Sequence, residues 1–153
     1  MKKLPIKYIQ LLCTLAVITF IGSPFFKIPG EPLENGYVPN DRLTGFDFTY
    51  EYLVAYFTNT SVTTRTDLVI IAFTVVIIVL MQFLAGLIKR DKLIISTAAI
   101  LFFITVAGLV YLNAANLPVE LRWGYYVFIV IQLAIAVFTP MSPVEPKKWA
   151  NKS

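Results

Sequence analysis

The sequence predicts an all-α membrane protein: a four-helix transmembrane bundle with a long first extracytoplasmic loop carrying a short hairpin and an interfacial helix. Three observations lead there. First, hydrophobic residues make up 58% of the 153 residues and charged residues 14%, against roughly 45–50% and 25% in soluble domains. A short chain exposes much of its surface, and 13 basic plus 9 acidic side chains cannot cover it. Second, charge-free windows of span length recur four times. Third, Lys and Arg are shared unequally between the connecting segments.

The windows locate the spans in order. Lys7 and Lys27 bracket Tyr8–Phe26, and Asp67 and Lys89 bracket Leu68–Ile88. Lys92 and Glu120 bracket a longer window, which Asn113, Asn116 and Pro118 trim to Leu93–Leu112. The fourth, Trp123–Thr139, starts after Arg122 and stops before Pro140 and Pro143. Each approaches the ~20 apolar residues that a helix needs to cross a ~30 Å hydrocarbon core. Backbone groups cannot stay unpaired in lipid, so these segments are expected to be helices. Residues 1–153 then form a single domain, a left-handed antiparallel bundle whose second and third spans make a tight hairpin through Lys89–Lys92.

Orientation follows from the positive charges. Lys2, Lys3, Lys7, Lys89, Arg90, Lys92, Lys147, Lys148 and Lys152 fall on one side, and Lys27, Arg42, Arg65 and Arg122 on the other. That asymmetry predicts cytoplasmic termini. The pI of about 9.2 is then a topology signal; nucleic-acid binding would need a clustered basic face, and none is patterned here. Trp123, Tyr125 and Tyr126 at the start of the fourth span, Tyr111, Tyr8 and Trp149 read as headgroup anchors. Met1-Lys2-Lys3 before an apolar run also fits a signal peptide, but Ile21-Gly22-Ser23-Pro24 is a poor cleavage site, so a retained span is expected. Cys13 follows Leu11 and Leu12 and lacks the small neighbour of a lipidated cysteine.

The outer loop, 27–67, is the one segment long enough for a fold of its own. Pro24, Pro29, Pro32 and Pro39 make its start proline-rich, and Asn35-Gly36 between Leu33 and Tyr37 is a hairpin-turn signal. The prolines limit any ladder to a short ribbon. Asp47 is a candidate N-cap, and Tyr50, Leu53, Val54 and Phe57 follow at helical spacing, an apolar face for a short helix lying on the outer leaflet or on the bundle. Thr58–Thr66 reads as a polar linker, and Asn59-Thr60-Ser61 is a sequon expected to go unused. Gly45, Phe46, Asp47, Tyr50, Leu53 and Phe57 form the candidate partner surface, since tyrosine-rich patches favour recognition.

Much chemistry is excluded. There is no histidine, and Cys13 is the one cysteine, which removes imidazole bases, most zinc and copper sites, and disulfide pairs. No phosphate loop, nucleophile elbow or metal-carboxylate cluster is present, so no cofactor and no metal is expected. Glu31 and Glu34 sit among prolines and read as loop solvation. The predicted spans hold no Asp, Glu, Lys, Arg or His, which argues against proton coupling. Their polar groups, Gln10, Thr14, Thr74, Gln82, Thr97, Thr105 and Gln132, fall on narrow stripes such as Thr97-Thr105-Gly108 and Tyr125-Ile129-Gln132-Ala136. Such groups usually hydrogen-bond to other helices, at ~0.6 kcal/mol each on average. Thr19 and Ser23 make a small-residue patch for close helix approach.

One long first outer loop over four helices with short remaining turns resembles the architecture of claudin-like tetraspan proteins. The resemblance is confined to architecture: the tryptophans and cysteine pair of their first loop have no counterpart between Lys27 and Asp67.

These features point to a non-catalytic accessory or assembly subunit of a larger membrane complex, in a bacterial cytoplasmic membrane. Its partners would be lipids and either another membrane protein or a second copy of this chain. The alternative is a small oligomeric channel or transporter. The topology is tested by cysteine labelling in intact cells: Asn59→Cys should react with an impermeant reagent from outside and Asp91→Cys should not. The reverse pattern would sink the assigned orientation.

Overall fold

The computed structural model describes residues 4–29, 40–50, 66–114 and 119–140. In order these form α1 (Ile6–Gly22), β1 (Pro24–Pro29), β2 (Asn40–Thr44), a helical segment at 45–50, α2 (Thr66–Leu87), α3 (Asp91–Ala114), β3 (Glu120–Leu121) and α4 (Trp123–Phe138). The chain is mostly helical, with a small three-stranded sheet. The Asn35-Gly36 turn, Leu53, Val54, Phe57 and the 58–65 linker lie outside the described residues, as does Trp149.

The first helix is shorter than the apolar window. Pro24 has no N–H to continue it, and the residue before a proline is pushed to extended backbone. Ser23 is accordingly extended (φ −104°, ψ 142°), and its N–H caps the helix on the Thr19 carbonyl at 3.0 Å. Phe25 and Phe26, expected in the span, therefore belong to β1. The register shifts between Pro24 and Phe26. This bulge breaks strict alternation, so both neighbouring rings turn inward and are buried.

The sheet order is β2-β1-β3, antiparallel throughout. Its third strand comes from the connection between α3 and α4, and the Arg122 N–H donates to the Phe25 carbonyl at 2.9 Å. The ribbon expected around Asn35-Gly36 is thus set further out, with Pro29 opposite Asn40.

Helices pack as a ring, α1 on α2, α2 on α3, α3 on α4 and α4 on α1. Neighbours run antiparallel. The Leu4 N–H meets the Phe138 carbonyl at one end of the α1–α4 pair, and Phe20 meets Phe128 at the other. The sheet lies at the second of these ends; the α2–α3 turn lies at the first. That turn is tight: Arg90 N–H donates to Ala85 O at 3.0 Å and Lys89 N–H to Gly86 O at 3.3 Å, with Lys89 in the left-handed region at φ 56°. This is the Schellman arrangement, with lysine where glycine is usual.

Each helix buries one stripe at three-four spacing. On α1 it is Ile9, Cys13, Ala16 and Phe20; on α3, Ile94, Ala98, Leu101 and Thr105; on α4, Tyr125, Phe128, Gln132 and Ile135. The opposite faces are not polar. Leu11, Leu15 and Ile18, Leu80 and Leu84, Ile100 and Phe103, and Val130 and Leu133 are all exposed. Among the described residues one helical stretch, Asp91–Leu112, is long and apolar enough to cross a membrane, and Ile6–Gly22, Phe73–Leu87 and Trp123–Phe138 are shorter apolar helices.

Small residues set the closest approach. A Cβ on Gly124 would stand 2.7 Å from the Pro24 carbonyl oxygen and 2.8 Å from Ser23 Cβ. The small patch at Ser23 therefore receives α4. Gly124→Ala should cost about 1–3 kcal/mol in detergent unfolding, because backbone must shift. Gly22→Ala, with open space around it, should be neutral or slightly stabilising. Equal effects of the two would contradict this packing.

Candidate functional site

The helix stripes bring amides together inside the bundle. Gln82 of α2 and Gln132 of α4 are 1% and 0% exposed, and they pair reciprocally across the diagonal of the ring. Gln82 Nε2 donates to Gln132 Oε1 at 2.7 Å, and Gln132 Nε2 donates back to Gln82 Oε1 at 3.2 Å. One turn further along α2, the Gly86 carbonyl accepts from Gln10 Nε2 at 2.9 Å. Amides from α1 and α4 thus converge on α2.

The threonines behave differently. Thr14 donates to Gln10 O at 3.0 Å, Thr74 to Ile70 O at 2.7 Å, Thr97 to Leu93 O at 2.8 Å and Thr105 to Leu101 O at 2.8 Å. A helical hydroxyl can reach the carbonyl one turn back in its own helix, and these four do so. Thr74 is exposed besides. The interhelical bond at Thr105 is made by its backbone carbonyl, which accepts from the Tyr125 hydroxyl.

Tyr125 is the residue that the anchor reading misplaced. It is buried, while its neighbours Trp123 and Tyr126 are exposed. Its spacing to Phe128 and Gln132 on the buried stripe was the signal available. Phe25 packs edge-on against Tyr125 at 5.8 Å and against Phe20 at 5.8 Å, and lies 5.5 Å from Phe128. Phe26 packs against Phe48 with ring centroids 4.4 Å apart and planes tilted by 35°. These rings join α1, β1, the 45–50 segment and α4 into one aromatic core.

That core positions the candidate surface. The 45–50 segment is capped by Thr44, not by Asp47. Thr44 Oγ1 accepts the Asp47 N–H at 3.1 Å, and the Asp47 carboxylate accepts from the Thr44 N–H at 3.1 Å and its hydroxyl at 2.8 Å. Asp47 is the third helical residue of a reciprocal capping box. Gly45 is buried rather than presented: a Cβ there would come within 2.6 Å of the Phe20 ring. Phe46 and Tyr50, one turn apart, face away from the bundle at 43% and 59% exposure, their rings stacked at 6.4 Å and 17°. Leu53 and Phe57 lie outside the described residues.

Across the sheet, the Glu120 carboxylate accepts from Lys27 Nζ and from Arg122 Nη2, each at 3.2 Å. Exposed pairs of this kind contribute ~0–1 kcal/mol, so they pin β1 to β3 only weakly. Among the described residues no three His, Cys, Asp or Glu side chains gather closely enough to hold a metal ion. No protein-family model matches the chain, and no curated protein or solved structure does either.

The amide pair makes a quantitative prediction. Gln82→Leu alone strands the Gln132 amide in an apolar interior and should cost about 1–3 kcal/mol. The double variant Gln82→Leu/Gln132→Leu should recover much of that loss. A double variant as unstable as the sum of the singles would show that the amides are not energetically coupled.

Proposed function

We propose that this chain is a non-catalytic accessory or assembly subunit of a larger membrane complex, with α1 to α4 as four spans and both termini cytoplasmic. The observation that carries the membrane reading is the polarity of the bundle. Its paired amides are turned inward, and the outward faces of all four helices are dominated by large apolar side chains such as Leu15, Leu80, Phe103 and Val130. Helices apolar all round need lipid or protein around them. At 1.5 Å per residue α1 and α4 are about 24–26 Å long, slightly short of a ~30 Å core. A bilayer absorbs such a mismatch by thinning, at fractions of a kcal/mol per Å. The distribution of charge supports the orientation, with Lys7, Lys89, Arg90 and Lys92 at the turn end.

The subunit reading rests on the stacked pair Phe46 and Tyr50. A capped helical segment, seated on buried rings, holds two large aromatics outward at the sheet end. Rigid exposed aromatics are favoured at protein interfaces. The same sequence spacing continues to Leu53 and Phe57. A channel or transporter would need a polar path, and the amides that could line one are engaged, Gln82 with Gln132 and Gln10 with the Gly86 carbonyl.

The test is purification in mild detergent from cells expressing the chain at native abundance, with mass spectrometry of what co-migrates. A stoichiometric partner should be found, and Phe46→Ala or Tyr50→Ala should weaken its retention at least about tenfold, since such anchors contribute ~2 kcal/mol or more. A homo-oligomer with no partner, whose liposome flux changes in Gln82→Leu or Gln132→Leu, would instead establish the channel.

A further inference from the structure

The turn between α2 and α3 carries charge that neither the amide core nor the aromatic face uses. Lys89, Arg90 and Lys92 are all exposed. Lys7, also exposed, lies one turn before Gln10, whose amide is tied to Gly86 near the end of α2. Lys7 therefore comes to the same end of the bundle. Asp91 is the one acid described there, so four cations stand against one carboxylate. The first N–H groups of α3 point the same way, since a helix start leaves them without intrahelical partners and carries the positive end of its dipole.

Backbone hydrogen bonds hold the shape of this turn. It forms an open concavity of about 570 Å³ lined by Ile88, Lys89, Arg90, Asp91, Lys92 and Leu93. Its lining is not polar throughout, since Ile88 and Leu93 belong to it. Leu84 and Leu87 precede Ile88 at helical spacing along α2, and all three are more than half exposed. Cations adjoining an apolar strip fit an amphiphile. A nucleic acid would leave the strip against water, and a free phosphate would engage the cations alone.

We propose that the α2–α3 turn binds an anionic phospholipid, the headgroup phosphate among Lys89, Arg90 and Lys92 and an acyl chain along Leu84, Leu87 and Ile88. This rests on the four-span reading, which puts the turn at headgroup depth. Basic clusters at the cytoplasmic ends of spans recognise such lipids, each cation contributing roughly fivefold in affinity.

The experiment uses the full chain extracted from membranes into a neutral detergent. It is titrated in mixed micelles with phosphatidylglycerol or phosphatidylcholine, and bound lipid is read by native mass spectrometry. Phosphatidylglycerol should be retained at least about tenfold more tightly. The triple variant Lys89→Gln/Arg90→Gln/Lys92→Gln should lose that preference while keeping its helix content and its binding of phosphatidylcholine. Should the variant misfold, raising salt from about 50 to 500 mM on the unaltered chain provides the same test, because screening must erase the preference.

Equal retention of the two lipids, or a preference that survives the triple variant or the salt, overturns the proposal. So does glycerol phosphate that competes as well as the intact lipid. A chain recovered from the soluble fraction overturns the membrane reading and this site with it. A membrane-extracted chain without lipid preference overturns the site alone.

Discussion

Pro24 has no N–H to donate and holds Ser23 extended, so α1 cannot run on through the apolar residues that follow it. Most of the sheet end is organised around that interruption. The chain leaves the helix directly into β1, and the bulge at Phe25 turns two consecutive rings into the bundle. The Phe25 carbonyl receives Arg122, which draws β3 onto the sheet. Gly124 then packs against the Pro24 backbone, so the start of α4 is set by the same two residues that end α1. The 45–50 segment is seated last, with Gly45 on the Phe20 ring and Phe48 on Phe26.

The other end is held differently. There the contacts are backbone and amide bonds: Leu4 to Phe138, Gln10 to Gly86, and the Schellman turn at Lys89. Between the two ends lies the Gln82–Gln132 pair, a side-chain bond that crosses the ring rather than following its perimeter. If lipid surrounds the bundle, burying more Leu or Ile between helices adds little, since lipid tails are equally apolar. Close approach at Ala16, Ala85, Gly86 and Ala98, together with these hydrogen bonds, then becomes the main source of helix pairing.

The two surfaces left over are chemically opposite. The sheet end presents stacked aromatics on a capped, well-seated segment, which suits a protein contact. The turn end presents cations beside an apolar strip, which suits a lipid headgroup. On the proposed reading one end holds the chain in its bilayer and the other offers it to a partner. The predicted spans hold no Asp, Glu, Lys, Arg or His, the side chains that usually carry proton relays through a membrane.

Local pattern was enough to locate the helices. α2, α3 and α4 begin and end within two residues of their apolar windows, because hydrophobic periodicity and charge are properties of neighbouring residues. It also marked Gln10, Gln82 and Gln132 as groups that needed a partner, and Phe46 and Tyr50 as two members of a wider outer-loop surface. It did not reveal which partners they would find. That Gln82 meets Gln132 across the diagonal depends on the ring order of the helices, which no single segment encodes. The early end of α1 was signalled by Pro24, yet its apolar continuation through Phe25 and Phe26 masked the change from helix to strand. β3 is too short to carry a periodic signal, and it exists as a strand because Phe26 and Lys27 of β1 pair with it. The threonines were assigned across helices when their hydroxyls had carbonyls within their own helix in reach. What the sequence determined by itself was therefore the type, length and apolar face of α2, α3 and α4, since those depend on residues a few positions apart. Tertiary structure alone decided the strand pairing, the burial of Gly45 and the amide pair, because each requires two distant segments to be brought within a few ångströms.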